Sequence, residues 1–165
     1  MTGLSAAVRR AVPDAAEHAD ADARMRALLS RPDPGPPGER LVLLHFRGRR
    51  SGRRYDVPAG LHRLGDRLVV ATGSGWRHNF TGGLAAEVTW RGTRRPAVLR
   101  LITATDEIAR GYLELVSRYG ATAAQRRLGI VITVDRTPTL DEVRDAVHRC
   151  GLSLVELCME EEVSA

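Results

Sequence analysis

Leu41-Val-Leu-Leu-His-Phe46, followed after Arg47 by Gly48-Arg-Arg-Ser-Gly-Arg-Arg-Tyr-Asp-Val-Pro58, is the stretch on which the reading of this chain turns. The apolar run reads as a buried strand, and a second extended run follows it as far as Leu61. Between them, Gly48 and Gly52 with Ser51 suit a turn that reverses the chain. Five arginines lie in the eight residues from Arg47 to Arg54. A tight turn with free backbone N–H groups and flanking guanidinium groups describes an anion site, most naturally for phosphate. It equally describes a solvated basic hairpin tip, and residue chemistry leaves both readings open.

Working outward, the residues after Leu41 divide into short extended runs. Strands are expected at 41–47, 54–63, 67–72, 86–91 and 95–104. Short turns join them: Gly48 to Arg53, Leu64-Gly-Asp66 and Arg91-Gly-Thr-Arg94. Close spacing and glycine-containing turns point to an antiparallel meander able to close into a small barrel. A sixth strand is expected at 129–134 and a last one at 152–158. Thr105 has the features of a helix N-cap, with Asp106 and Glu107 in the first turn. Ile108, Tyr112, Leu115, Val116 and Tyr119 would form one face of that helix, which Gly120 can end. Thr139-Leu-Asp-Glu142 reads as a capping box for a helix to about Arg149.

Ahead of the meander, residues from about Asp14 to Ser30 have a loosely helical apolar spacing, with Pro13 in the first turn. Arg31-Pro-Asp-Pro-Gly-Pro-Pro-Gly38 interrupts regular structure and reads as a stiff linker. The expected organisation is an N-terminal helical arm and linker over 1–38, one domain over 39–160 and an acidic tail over 161–165. The fold class is α+β: a mostly antiparallel barrel of six to seven strands with two to three flanking helices.

At 165 residues the chain has the length of one domain with a real core. No apolar run approaches the length needed to span a membrane, and the first ten residues lack the charged-then-apolar pattern of a signal peptide. Cys150 and Cys158 read as free thiols of a reducing cytoplasm. All 25 basic residues are arginine, which excludes lysine Schiff-base chemistry and a P-loop. From Arg40 to Arg100, thirteen arginines face only Asp56, Asp66 and Glu87, so this basic middle should meet something negative. Few aromatics and acidic flanks argue against nucleic acid as that partner. His18, His62 and His148 are scattered, and no spacing argues for a metal. Ser51 and Ser74 lack the context of a nucleophile elbow.

Gly48-Arg-Arg-Ser-Gly52, Val57-Pro58, the turn Leu64-Gly-Asp-Arg67, the loop Ala71-Thr-Gly-Ser-Gly75, Trp76-Arg-His-Asn-Phe80 and Glu87-Val-Thr89 follow one another in order. Over about residues 41 to 120 this resembles the deazaflavin-dependent nitroreductase family of actinobacteria. Those proteins are split β-barrels related to FMN-binding oxidoreductases. The resemblance implies a split barrel with a cleft for coenzyme F420, the alternatives being FMN or no cofactor. Arg49, Arg50, Ser51 and Gly52 match the phosphate loop, and Pro58 and Ala59 match the residues beside the ring. Thr72, Gly73, Ser74, Gly75, Trp76 and Asn79 match the opposite wall. Arginine suits phosphate, glycine admits backbone N–H groups to a ligand, and tryptophan offers a flat apolar wall. His78, inside the Trp-x-x-Asn turn, and His45, on the apolar strand, fall on the substrate side. Tyr119 matches a tyrosine of the family's substrate pocket and is the expected proton donor.

The implied activity is hydride transfer from reduced deazaflavin to a quinone, nitroaromatic or enone. The implied partners are that small molecule and a second copy of the chain. Gly120 stands where relatives often carry proline, and later family tyrosines have no counterpart. That departure leaves open a coenzyme-independent cyclase, isomerase or binding protein on the same fold.

Overall fold

The computed structural model describes residues 6–11 and 15–159. The readings of the first five residues, of Pro13 and Asp14, and of the acidic tail lie outside the described residues. Six strands close into an antiparallel barrel: β2 (Leu41–Arg47), β3 (Arg54–Leu64), β4 (Arg67–Thr72), β5 (Leu84–Trp90), β6 (Thr93–Leu101) and β8 (Ser153–Met159), in the order β2-β3-β4-β8-β6-β5. Side chains alternate between two destinations along these strands, as a period of two requires. Val42, Leu44, Phe46, Leu61, Val70, Val88, Leu99, Val155 and Leu157 fill the interior. Val69 and Leu154 point outward and are covered by helices α3 (Thr105–Tyr119) and α5 (Leu140–Cys150) in a second core with Tyr112, Leu115 and Val147.

The α+β barrel is as the residue pattern indicates, and three details differ. The stretch at 129–134 gives only β7 (Ile130–Ile132), which pairs outside the barrel with β1 (Val8–Arg10). Its three residues are enough to bury Ile130 but too few for a barrel wall. The segment at 121–128, read as polar connection, is helix α4, burying Ala124 and Leu128 against the second core. With α1 (Ala15–Leu29) and α2 (Pro37–Arg40) the helices number five among the described residues, plus the 3-10 turn Gly75–Phe80. The stretch expected as arm and linker packs on the barrel domain, with Val8 and Leu29 each 2% exposed.

The turns explain the shifted strand boundaries. Arg91 (φ 52°) and Gly92 (φ 79°) alone reverse the chain between β5 and β6, so both strands start two residues earlier than read. Two successive left-handed residues match the right-handed twist of a hairpin. At Gly92 a Cβ would sit 2.1 Å from the carbonyl oxygen of Pro32, so the linker itself demands glycine there. Ala104, not Thr105, is the N-cap of α3, and no side chain caps it. The Thr139–Glu142 capping box of α5 is present in both directions.

Strand directions place the β2–β3 turn (residues 48–53), the 3-10 turn and the start of β5 at one end of the barrel. The β3–β4 and β5–β6 turns lie at the other end, with the end of β8. β2 pairs with β5 only between Leu43–His45 and Glu87–Thr89, so beyond His45 the two strands diverge and the barrel wall opens.

Candidate functional site

The opening in the wall is bordered by two neighbouring cavities that share Tyr55. The first, about 700 Å³, lies against Arg49, Arg50, Ser51, Gly75, His78 and Asn79, with Gly48 and Thr81 beside them. The second, about 630 Å³, lies along the divergent edges and meets His45, Phe46, Arg47, Arg54, Asp56 and Glu87.

Hairpin geometry builds the first cavity. Gly48 N–H donates to the Arg53 carbonyl (2.8 Å) and Gly52 N–H to the Gly48 carbonyl (2.9 Å). Gly52 has φ 71°, a conformation glycine adopts without penalty. Arg49 N–H donates to Asn79 Oδ1 at 2.9 Å, and Arg53 N–H to Ser51 Oγ at 3.1 Å. The N–H groups of Arg50 and Ser51 have no acceptor among the described residues, nor has the Arg50 guanidinium. Two adjacent free N–H groups and a free guanidinium at the edge of a cavity form a concave set of donors for an anion.

Arg49 and Asn79 do different work. The Arg49 guanidinium reaches the carbonyls of Thr81 (2.5 Å) and Gly83 (3.2 Å), and Asn79 Nδ2 donates to the Trp76 carbonyl (2.9 Å). Both side chains hold the hairpin tip to the 3-10 turn and so fix the width of the cavity.

Tyr55 and Phe46 reach the cavities and are backed by further aromatic rings. Phe46 and Tyr55 are cross-strand partners, stacked with centroids 5.4 Å apart. Phe80 meets Phe46 edge-on at 4.9 Å, and Trp76 leans on both, 6.2 Å from Phe46 and 6.0 Å from Phe80. Offset and edge-on contacts of this kind add to area burial and hold the rings in place. Trp76 is thus part of the barrel's packing, half-buried, and it does not line either cavity.

The other residues singled out in the sequence divide. Pro58 and Ala59 sit in mid-β3 opposite Leu43 and Val42 and line neither cavity; Ala59 faces the interior. Thr72 is 8% exposed and its Oγ1 accepts from Ser74 N–H at 3.0 Å. The carbonyls of Gly73 and Ser74 both take the Arg77 guanidinium at 2.9 Å. Of the 72–75 loop, only Gly75 reaches the cavity. Arg77 itself is partly desolvated and lies near Arg10, and burial first, then that second cation, lowers its pKa.

Tyr119 is not brought to either cavity. Its hydroxyl lies 2.8 Å from His62 Nδ1 and the Arg127 guanidinium covers its ring at 4.0 Å. Leu61 faces the barrel interior, so the adjacent His62 faces out, and Tyr119 meets it on the outer wall. His62, 2% exposed, has its pKa lowered to about 4, mainly by burial and then by Arg127 and Arg118.

His45 borders the second cavity. Its Nδ1 lies 2.6 Å from Asp56 Oδ1 and its Nε2 lies 2.7 Å from Thr89 Oγ1. A carboxylate on one ring nitrogen fixes the tautomer and orientation of the other. Asp56 and Tyr55, not singled out in the sequence, also border this cavity, and the hairpin register that follows from the turn places them opposite His45 and Phe46. Arg47 and Arg54 are also direct cross-strand partners, and neither has a carboxylate partner among the described residues.

No protein-family model matches this sequence, and no curated protein matches it. Among solved structures, one described as the FAD and heme binding protein from Mycobacterium smegmatis is similar. The two share 21% identity over 85% of this chain and 67% of the other, with a TM-score of 0.44.

Proposed function

We propose that this protein is an oxidoreductase that binds coenzyme F420 in the opening between the β2–β3 hairpin and β5. The carrying observation is the pair of unpaired N–H groups at Arg50 and Ser51, with the unpartnered Arg50 guanidinium, next to the Phe46–Tyr55 stack. This set fits a ligand with a phosphate at one end and a flat ring at the other. Guanidinium and free N–H groups hold the phosphate, and the exposed edge of Tyr55 lies along the ring. Ser51, Gly75 and His78 complete the phosphate end, and Gly52 gives the turn its shape. Arg49 and Asn79, which also border the cavity, tie its two walls together.

When bound, reduced deazaflavin supplies a hydride to an electron-poor acceptor such as a quinone, nitroaromatic or enone. This chain's part is to orient the two molecules, exclude water and supply a proton. We assign the proton to His45 Nε2, with Asp56 holding Nδ1. Tyr119 borders neither cavity and meets His62 on the outer wall.

Titration with F420 tests the reading: saturable quenching of its fluorescence, weakened at least about tenfold in Arg50→Gln, is expected. Oxidation of reduced F420 by menadione should follow. Absence of quenching, with FMN bound instead, would move the assignment to a flavin; binding of neither removes the redox reading.

A second reading rests on the Asp56–His45–Thr89 chain of hydrogen bonds, which needs no coenzyme to move a proton. It makes the protein an isomerase or cyclase on the same barrel. Turnover of a substrate in protein free of F420, FMN and nicotinamide supports it, and strict coenzyme dependence excludes it.

A further inference from the structure

The far end of the barrel holds a second set of unmet donors. Arg95, on β6 opposite Val88, points inward, and Trp90 on β5 packs on the same interior core as its diagonal neighbour. Trp90 Nε1 and Arg95 Nε are both closed to solvent and have no hydrogen-bond partner among the described residues. Leaving such donors unmet costs free energy on each, so native proteins keep few of them. Both side chains border a cavity of about 480 Å³ with Arg63, Leu68, Leu157 and Met159. Its other charged groups are Glu156, held by Arg67 at 3.1 Å, and Asp66 in the β3–β4 turn.

We propose that this barrel mouth is a binding site for a small monocarboxylate with an apolar body. One carboxylate offers acceptors to both donors, Arg63 and Arg95 supply the positive charge, and Leu68, Leu157 and Met159 take the apolar part. Neither nitrogen meets solvent, so the ligand enters by displacing a covering side chain. Arg91 lies over the Trp90 ring at 4.3 Å and is tethered to exposed Glu39 at 2.9 Å, which makes it the first candidate for displacement. The site lies at the opposite end of the barrel from the F420 cleft and does not depend on that assignment.

Benzoate serves as the probe, read at the indole N–H of Trp90 by two-dimensional NMR, with Trp76→Phe used only to assign the resonance. The expected result is a saturable downfield shift with benzoate and none with benzamide or sulfate. Arg95→Met should weaken benzoate by at least about tenfold, while its own thermal midpoint equals or exceeds the parent's, because an unmet buried donor is gone. Arg50→Gln, at the other end, should leave benzoate binding unchanged. No saturable shift, an equal response to benzamide or sulfate, or full binding by Arg95→Met overturns the proposal. A response that appears only after Glu160, Glu161 and Glu162 are changed to Gln assigns the site to the chain's own carboxylates and also overturns it.

Discussion

Asn79 Oδ1 accepts a hydrogen bond from the backbone N–H of Arg49 at 2.9 Å, joining the tip of the β2–β3 hairpin to a turn thirty residues further on. The same side chain closes that turn through the Trp76 carbonyl. One asparagine therefore sets the separation of the two walls of the cleft. Asn79→Ala removes both bonds and should cost about 1–2 kcal/mol of stability, with weaker F420 binding as a consequence of the looser wall. Arg50→Gln should weaken binding without moving the thermal midpoint, since the Arg50 side chain has no hydrogen-bond or ion-pair partner among the described residues. Thermal unfolding measured beside fluorescence titration separates the two; equal effects of both variants on stability would refute the division of roles.

His62 carries the pH dependence of the outer wall. The unfolded chain takes up a proton near the ordinary histidine value of 6.5, whereas the folded chain does so only near about 4. Between those values the unfolded state binds more protons, so stability falls as pH drops from 6.5 toward 4 and is full above 6.5. His62→Leu should flatten that part of the stability curve. An imidazole NMR titration in which His62 protonates near 6.5 in the folded protein would contradict it.

Tyr119→Phe separates packing from catalysis. Loss of the hydroxyl leaves His62 Nδ1 without its partner and should destabilise by about 1 kcal/mol. Coenzyme oxidation per folded molecule should be unchanged. His45→Gln should instead lower that rate by roughly a hundredfold while leaving F420 affinity alone. A large rate loss in Tyr119→Phe would return the proton to the tyrosine.

Arg47 and Arg54 face each other directly across the hairpin. Like charges so placed repel, and Arg54→Thr should raise stability by roughly 0.2–1 kcal/mol at low salt. Around 1 M salt the gain should vanish, because the screening length shrinks to about 3 Å. Denaturant unfolding at two ionic strengths checks it, and a salt-independent difference would show that charge is not the cause.

Glu142 links the cap of α5 to acid stability. The Arg136 guanidinium first, then the Thr139 N–H, hold its pKa down at about 2 from 4.5. Its contribution is complete above pH 4.5 and is lost as pH falls toward 2. Glu142→Gln should lose stability at neutral pH and show a shallower acid limb. Thr139→Ala should cost about 1 kcal/mol at every pH.

Much of this fold is local and was open to reading from the chain. The 48–53 turn, the β3–β4 turn and the Thr139–Glu142 cap each depend on residues a few positions apart. Period-two alternation along 41–47 and 54–64 is enough to give two faces and an antiparallel hairpin. The free N–H groups of the basic turn were legible too, because they follow from the turn's own hydrogen bonds.

What the chain alone does not contain is which distant pieces meet. Helix α4 was missed because its apolar face is only Ala124 and Leu128, sufficient once α3 and β7 lie beside it. β7 left the barrel because Val8–Arg10, read as part of an arm, offered it an edge. Arg49 and Asn79 are polar cleft residues in sequence, and tertiary contact turns them into the clasp between two loops. Tyr119 lies on the expected helix face, yet that face meets the outside of the barrel, where His62 takes its hydroxyl. Sequence thus determined the strands, the turns and the charge at Gly48–Pro58. Tertiary structure decided that the Arg49 guanidinium is engaged and that of Arg50 is not, because only long-range carbonyls and amides show which donors are already used.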